Sequence, residues 1–239
     1  MKLQYLVLTT LGMISQLACA DEASLKKRIE AAYPKFAVES VVKTPYTGLY
    51  EVFMGGQIIY TDEKLTFLIA EGHLVDPKTK KDITGERLEE LTKIDFNRLP
   101  LEKAIKVVKG NGSRKVAVFS DVDCPFCKRL EQNELSQITD VTIYTFLYPL
   151  AQLHPNAVAK SKLIWCADNR VEAWNNWIFN NQLPKSAGNC KVPLEEIGDL
   201  ASKIGVTSTP TLIFADGKRM MGAQPYKAIE SALKEAAKR

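Results

Sequence analysis

The sequence predicts an α+β protein in which a small N-terminal antiparallel sheet and a larger C-terminal α/β domain are joined by a linker helix. Residues 36–76 contain short strand-like runs around a glycine turn, whereas residues 86–98 have the apolar spacing of a helix. From residue 101 onward, strand-like and helical segments alternate, which is typical of a sheet covered by helices. We therefore divide the chain into residues 1–20, 21–84, 85–100 and 101–239.

The first of these segments has the pattern of a secretory signal peptide. Lys2 precedes an apolar run over residues 3–17, and residues 18–20 provide the small side chains of a cleavage site. We expect cleavage after Ala20 and hence an exported protein; a lipoprotein signal centred on Cys19 is the alternative. No later segment is long and apolar enough to cross a membrane.

The charge of the chain does not indicate a nucleic-acid partner. The formal net charge is +4 for the full sequence, and acidic and basic residues are interspersed. A mild basic excess of this kind is typical of a solvated surface.

The N-terminal domain is predicted to be one helix packed on an antiparallel sheet. Residues 22–33 place Leu25, Ile29 and Ala32 on one helical face. The strand-like runs are residues 36–38, 49–53, 57–60 and 65–69, with the hairpin signal Gly55-Gly56 between the second and the third. Because a domain of about 60 residues has a thin core, we expect its exposed strands to pair with a second copy of the chain.

Residues 86–98 are predicted to form the linker helix. Leu88, Leu91 and Ile94 lie on one face, and Pro100 follows the predicted end. Because this segment stands between two domains, we interpret it as a connecting helix rather than a core helix.

The C-terminal domain is predicted from a longer alternation of strands and helices. The predicted strands cover residues 104–108, 115–119, 141–147, 211–214 and 219–221. The predicted helices cover residues 156–179 and 194–204 and a last helix with Tyr226, Ile229 and Leu233 on one face. The dipeptides Asn111-Gly112 and Asp216-Gly217 are strong turn signals.

Cys124-Pro125-Phe126-Cys127 is the most informative motif of this domain. It follows the buried-strand pattern of residues 116–119 and precedes a helical segment, as in thiol–disulfide redox sites. Unpaired N–H groups and the helix dipole stabilise a thiolate at a helix N-terminus, and proline suits the first helical turn. The alternatives are half of a zinc site, which would usually need a second cysteine pair or closely spaced histidines, and a purely structural disulfide.

The remaining cysteines predict a second disulfide. Signal-peptide cleavage would remove Cys19 and leave four cysteines, which allow three pairings. Local pairing of Cys124 with Cys127 leaves Cys166 with Cys190, and two buried free thiols are the alternative. Closing the loop between Cys166 and Cys190 would stabilise the fold by roughly 3.5 kcal/mol.

The order of elements around the C-x-x-C motif resembles the thioredoxin fold, and Thr209-Pro210 resembles the cis-proline loop of that family. The long helical sequence between the two motifs implies a helical insertion. The whole chain resembles, more narrowly, the DsbC-type disulfide isomerases. The residues that carry this resemblance are Phe119-Ser120-Asp121-Val122-Asp123-Cys124-Pro125-Phe126-Cys127, Ile164-Trp165-Cys166-Ala167, Cys190, Gly205-Val206-Thr207-Ser208-Thr209-Pro210-Thr211 and Gly222-Ala223-Gln224-Pro225.

The resemblance implies a V-shaped periplasmic homodimer joined through residues 21–84, with two redox sites that face a cleft. It implies that misfolded exported proteins are the clients and that a membrane-embedded, DsbD-like reductase restores the dithiol. We expect no cofactor and no metal. Many DsbC-type enzymes carry Gly-Tyr in place of Pro125-Phe126, so a DsbA-like dithiol oxidase and a DsbG-like reductase or chaperone are the alternatives. The pair Cys166 and Cys190 favours DsbC over DsbG.

The expected chemistry is thiol–disulfide exchange. Cys124 is the expected nucleophile, and either a client thiol or Cys127 resolves the mixed disulfide. A cis Pro210 would lie against the site, where the backbone of Thr209 pairs with an extended client segment. The other expected active-site residues are Asp121, Pro125 and Phe126. We interpret Asp123 as a solvated charge.

Overall fold

The computed structural model describes residues 14–238, so residues 1–13 of the predicted signal peptide lie outside the described residues. The chain divides into two compact units, and the division falls after Leu91. Each unit has its own hydrophobic core, and the architecture confirms the predicted α+β class. Cleavage after Ala20 stays a prediction.

The N-terminal unit is an antiparallel sheet with a helix packed on one face. Its strands are β1 (Val38–Lys43), β2 (Tyr50–Met54), β3 (Gln57–Thr61) and β4 (Leu68–Ile69), in the order β1-β2-β3-β4. Helix α1 (Ile14–Ala32) buries Leu25 and Ile29 in the core that β1 and β2 share. Gly55 and Gly56 form the predicted hairpin turn with φ of 60° and 76°, which most residues with a side chain avoid.

Strand β4 leaves apolar side chains at the surface of this unit. Phe67, Leu68 and Ile69 are 44%, 38% and 41% exposed. Strand β4 is the last in the sheet order and pairs with β3 on one side. No strand among the described residues 14–238 pairs with its other edge, which presents backbone groups next to exposed apolar side chains.

The predicted linker helix has different bounds in the structure. Helix α2 (Ile83–Leu91) begins after Asp82, whose Oδ1 accepts a 2.9 Å hydrogen bond from the Gly85 N–H. Leu88 and Leu91 pack against the core of the N-terminal sheet. The helix does not continue to Arg98, because the Ile94 N–H bonds to the Gly217 carbonyl (3.0 Å) and the Ile94 side chain lies in the core of the C-terminal unit.

The C-terminal unit is a five-stranded mixed sheet covered on both faces. Its strands are β5 (Ile105–Lys109), β6 (Arg114–Ser120), β7 (Val141–Leu147), β8 (Thr211–Phe214) and β9 (Arg219–Met221), in the order β5-β7-β6-β8-β9. Strands β6 and β7 run parallel, and the other pairs are antiparallel. Val116 and Val118 of β6 enter one core, whereas Ala117 and Phe119 enter the core on the opposite face.

The turn at Asn111-Gly112 does not close a hairpin. Strand β7 lies between β5 and β6, because Ile143 pairs with Val107 on one side and with Val116 on the other. The predicted turn is present, and Gly112 has a φ of 65°. Strands that are adjacent in the sequence are therefore separated in the sheet.

The helices that follow the redox motif are shorter than the sequence pattern suggests. They are α3 (Pro125–Arg129), α4 (Ala157–Trp165), α5 (Arg170–Asn180), α6 (Leu194–Lys203) and α7 (Tyr226–Ala236). The predicted helical stretch 156–179 divides into α4 and α5 because Asn169 caps α5, its Oδ1 accepting a 3.1 Å hydrogen bond from the Glu172 N–H. A π-helical turn, Leu130–Glu134, follows α3 directly.

Candidate active site

Cys124 lies at the N-terminus of α3, and the turn at residues 121–123 separates it from the end of β6. Its backbone is extended (φ −69°, ψ 120°), and Pro125 occupies the first helical turn, where its missing N–H costs nothing. The Cys124 N–H donates to the Asp121 carbonyl (3.2 Å), which closes the turn between strand and helix. The thiol therefore lies where the free N–H groups of a helix point.

The loop that carries Thr209 and Pro210 lies next to Cys124. The Thr209-Pro210 peptide bond is cis, and the Cys124 Sγ lies 3.5 Å from the Thr209 carbonyl oxygen. The Gly222 N–H donates to the Pro210 carbonyl (2.8 Å), which fixes the loop to the end of β9. The structure thus brings together two motifs that are 85 residues apart in the sequence.

The two thiols of the motif differ in acidity. A hydrogen bond from the Cys127 thiol lowers the pKa of Cys124 to about 5. Burial opposes this change, and the Cys127 backbone N–H adds to it. Burial, together with the hydrogen bond to Cys124, raises the pKa of Cys127 far above its usual value. At neutral pH, Cys124 is therefore a thiolate and Cys127 is a thiol.

Both cysteines are buried, but their exposed fractions differ. Cys124 is 4% exposed, whereas Cys127 is completely buried. Phe126, between them, is 56% exposed, and the Arg129 guanidinium lies 5.7 Å from its ring centroid. Cys124 thus keeps the little exposure that the two thiols have, and the exposed side chain beside it is the apolar ring of Phe126.

Asp121 is buried and fully engaged in hydrogen bonds. Its Oδ1 accepts from the Asp123 N–H (2.8 Å), and its Oδ2 accepts from the Leu150 N–H (2.6 Å). The same Oδ2 lies 3.0 Å from Nδ1 of His154, on the loop between β7 and α4. This carboxylate joins the turn before the redox helix to a loop that the sequence did not connect with the site.

The interpretation of Asp123 as a solvated charge is wrong. Its Oδ1 lies 2.6 Å from the Nζ of Lys160 on α4, and only 16% of its side chain is exposed. The Lys160 ammonium lies 4.6 Å from the ring centroid of Trp177, and the Lys128 ammonium lies 4.1 Å from the same centroid. The carboxylate is thus paired with a cation that itself lies on an aromatic ring.

Sequence reasoning missed His154, Lys160 and Trp177. The Trp177 Nε1–H donates to the Val122 carbonyl (2.6 Å), so α5 supports the turn before the redox helix. A histidine is rare in this chain, with two in the whole sequence, which was the one available signal for His154.

The second cysteine pair is a disulfide. The S–S distance between Cys166 and Cys190 is 2.02 Å, and their Cα atoms are 5.6 Å apart. Cys166 ends α4, and Cys190 lies in the segment that leads to α6. The bond joins the helical insertion to the chain that follows it, whereas Cys124 and Cys127 are free thiols.

Residues 14–238 lack two features, a membrane-spanning helix and a cluster of metal ligands. No helix in this part of the chain is both long and apolar enough to cross a membrane. Within the same residues, no three histidine, cysteine, aspartate or glutamate side chains form a group that could hold a metal ion.

Both units match known families. Residues 101–237 match the family described as a thioredoxin-like domain, and residues 16–85 match the disulfide bond isomerase protein N-terminal domain. A disulfide interchange protein from Neisseria gonorrhoeae has a similar solved structure, with 43% identity and a TM-score of 0.55 over 58% of this chain and 99% of that one.

Curated relatives extend the match over both units. A probable thiol:disulfide interchange protein DsbC from Bordetella parapertussis is 40% identical over 210 residues, which are 88% of this chain and 73% of the relative. The thiol:disulfide interchange protein DsbC of Escherichia coli (strain K12) is 25% identical over 98% of this chain and 97% of its own length. With a redox dithiol beside a cis-proline loop and matches to both domain families, this chain belongs to the DsbC family of thiol:disulfide interchange proteins.

Proposed function

We propose that this protein is a periplasmic disulfide isomerase in which Cys124 rearranges wrong disulfides of exported proteins. The match of residues 16–85 to the disulfide bond isomerase N-terminal domain carries the proposal of an isomerase, and the asymmetry of the dithiol assigns the roles of the two cysteines. A thiolate with a pKa of about 5 lies at the head of α3, and a thiol that resists ionisation is buried behind it. Cys124 is therefore the nucleophile and Cys127 the resolving cysteine.

The isomerisation cycle begins with attack of the Cys124 thiolate on a disulfide of the client. The Cys124 sulfur bonds to one client sulfur, and the other client sulfur leaves as a thiolate. A different client thiolate then attacks the client sulfur of this mixed disulfide. A new client disulfide forms, Cys124 leaves as a thiolate, and no net electrons are transferred.

Cys127 provides a reductive exit from the same intermediate. It loses its proton and attacks the Cys124 sulfur, which releases the client thiolate and leaves a Cys124–Cys127 disulfide with two electrons given to the client. Because burial raises the pKa of Cys127, this step is disfavoured and client thiols have time to react. A membrane-embedded reductase then restores the dithiol.

Two surfaces support client binding and assembly. The Thr209 backbone next to Cys124 suits an extended client segment that pairs with it, and exposed Phe126 offers an apolar contact. The exposed β4 edge suits pairing with a second copy, which would form a homodimer through the N-terminal unit. Cleavage of the signal peptide after Ala20 is part of the same proposal.

A dithiol oxidase is the second candidate, and the acidity of Cys124 favours it. A stable thiolate stabilises the reduced form and so makes the disulfide more oxidising. The N-terminal unit favours the isomerase, because its family is that of disulfide bond isomerases. The redox state of Cys124 and Cys127 in cells, read by thiol trapping, separates the two: an isomerase is reduced and an oxidase is oxidised.

The nucleophile is tested by single substitutions. Cys124→Ala should abolish reactivation of a client with scrambled disulfides, whereas Cys127→Ala should accumulate mixed disulfides with the client. Alkylation of the reduced protein at limiting reagent should modify Cys124 first. Preferential alkylation of Cys127 would reverse the two assignments.

A further inference from the structure

The carboxylate of Asp121 joins two loops next to the redox helix. Asp121 has no exposed surface, and its two oxygens accept hydrogen bonds from the Asp123 and Leu150 N–H groups. His154, which is 33 residues away in the sequence, provides the third contact at 3.0 Å. Backbone N–H groups alone would leave the negative charge of this buried carboxylate without a neutralising cation.

The contact defines which nitrogen of His154 carries a proton. A carboxylate only accepts hydrogen bonds, so Nδ1 of His154 is protonated and donates to Asp121. The other nitrogen, Nε2, is then the one that titrates. The hydrogen bond to Asp121 raises the pKa of His154, and the negative charges of Asp121, Cys124 and Asp123 act in the same direction.

The charges that act on His154 are the negative ones of Asp121, Cys124 and Asp123. Asp121 and Asp123 belong to the turn before α3, and Cys124 heads that helix. Lys160 of α4 is bonded to Asp123, so that carboxylate has its own cation. The partner of Asp121 is instead His154, which is charged only while its imidazole is protonated.

We propose that His154 is a positioning residue for the redox site: as an imidazolium bonded to Asp121, it neutralises that carboxylate and thereby stabilises the Cys124 thiolate. When His154 loses its proton, the Asp121 charge is no longer balanced, and it repels the thiolate. The stability of the thiolate, and with it the reactivity of the dithiol, then depends on the protonation of a residue outside the C-x-x-C motif.

The coupling can be measured in the unaltered protein. Because the sequence contains two histidines, NMR can follow both imidazole rings across a pH titration. We expect His154 to hold its proton to a higher pH in the reduced protein than in the oxidised protein, because forming the Cys124–Cys127 disulfide removes the thiolate charge. The same midpoint for His154 in both redox states would overturn the proposal.

A substitution separates the charge from the hydrogen bond. His154→Asn retains an N–H near the Nδ1 position but cannot become a cation. At pH 5, where Cys124 is about half ionised, its rate of alkylation by iodoacetamide should fall about fivefold, since loss of a nearby cation raises a thiol pKa by about 1. At pH 8 the rate should be nearly unchanged.

The control is the other histidine–aspartate pair. His73 lies 2.7 Å from Asp82 in the N-terminal unit and is exposed, so His73→Asn removes a similar pair away from the redox motif. An unchanged alkylation profile in His154→Asn, or an equal change in His73→Asn, would contradict the inference. The inference rests on the proposed function, in which Cys124 is the nucleophile. Its assays measure the ionisation of His154 and Cys124 and need no client protein. The inference can therefore fail or hold whether or not the protein isomerises clients.

Discussion

Glu131 is a carboxylate whose burial should make the protein less stable as the pH rises. It lies in the π-helical turn after α3, and its Oε1 atom is buried without a hydrogen-bond partner among the described residues. Burial raises the pKa of Glu131 to about 7, although the Trp174 side chain and the charge of Lys109 oppose the change. Replacing this residue with glutamine keeps the shape and removes the charge.

The direction of this pH effect on stability depends on whether the folded or the unfolded state binds the proton more tightly. The pKa of Glu131 rises from 4.5 to about 7 on folding, so the folded state binds the proton more tightly. The contribution of Glu131 to the free energy of unfolding is fully present below pH 4.5 and is lost as the pH rises through about 7. The loss amounts to at most about 3.5 kcal/mol, because each pKa unit corresponds to about 1.4 kcal/mol.

Urea unfolding of the reduced protein measures this difference. All three tryptophans lie in α4 and α5, so their fluorescence reports on the C-terminal unit. Glu131→Gln should be more stable than the parent protein by up to about 3.5 kcal/mol at pH 8, and about equally stable at pH 4. Exposed Glu195 provides the control Glu195→Gln. A difference between Glu131→Gln and the parent protein that is the same at pH 4 and pH 8 would refute the reasoning.

Three further outcomes are expected. Replacing both Cys166 and Cys190 with alanine should destabilise the C-terminal unit by about 3.5 kcal/mol in urea unfolding while Cys124 alkylation keeps its rate; free thiols at both positions by mass spectrometry of the native protein would contradict a disulfide role. Deleting residues 21–91 should give a folded, redox-active monomer with poor isomerase activity; a full-length protein that sediments as a monomer at micromolar concentration would contradict the dimer. Thiolate absorbance of the reduced protein should appear with a midpoint near pH 5; a midpoint near pH 9 would show that the helix and Cys127 do not acidify Cys124.

The sequence predicted best where local pattern decides the structure. Strands β8 and β9 have the bounds that their apolar runs predicted, and Cys124 stands between a buried strand and a helix as expected. Gly55 and Gly56 form the hairpin that their conformational freedom allows. In each of these cases, a few consecutive residues carry the signal.

The sequence failed where distant segments decide. Helix α2 ends at Leu91 because the Ile94 N–H bonds to Gly217, far along the chain, and no local pattern contains that contact. In the same way, β7 separates β5 from β6 despite the turn between them. Two of the partners of Asp121, Leu150 and His154, lie on another loop, so its burial was not visible either.

The position of Trp177 gives the protein an optical reporter of its own redox state. Its indole bonds to the Val122 carbonyl just before Cys124, and two ammonium groups lie on its ring. Oxidation of the dithiol removes the thiolate charge of Cys124, two residues after the Val122 carbonyl that the indole contacts, and indole emission responds to nearby charge. With Trp165 and Trp174 replaced by phenylalanine, turnover of the enzyme could be followed in real time without any added dye.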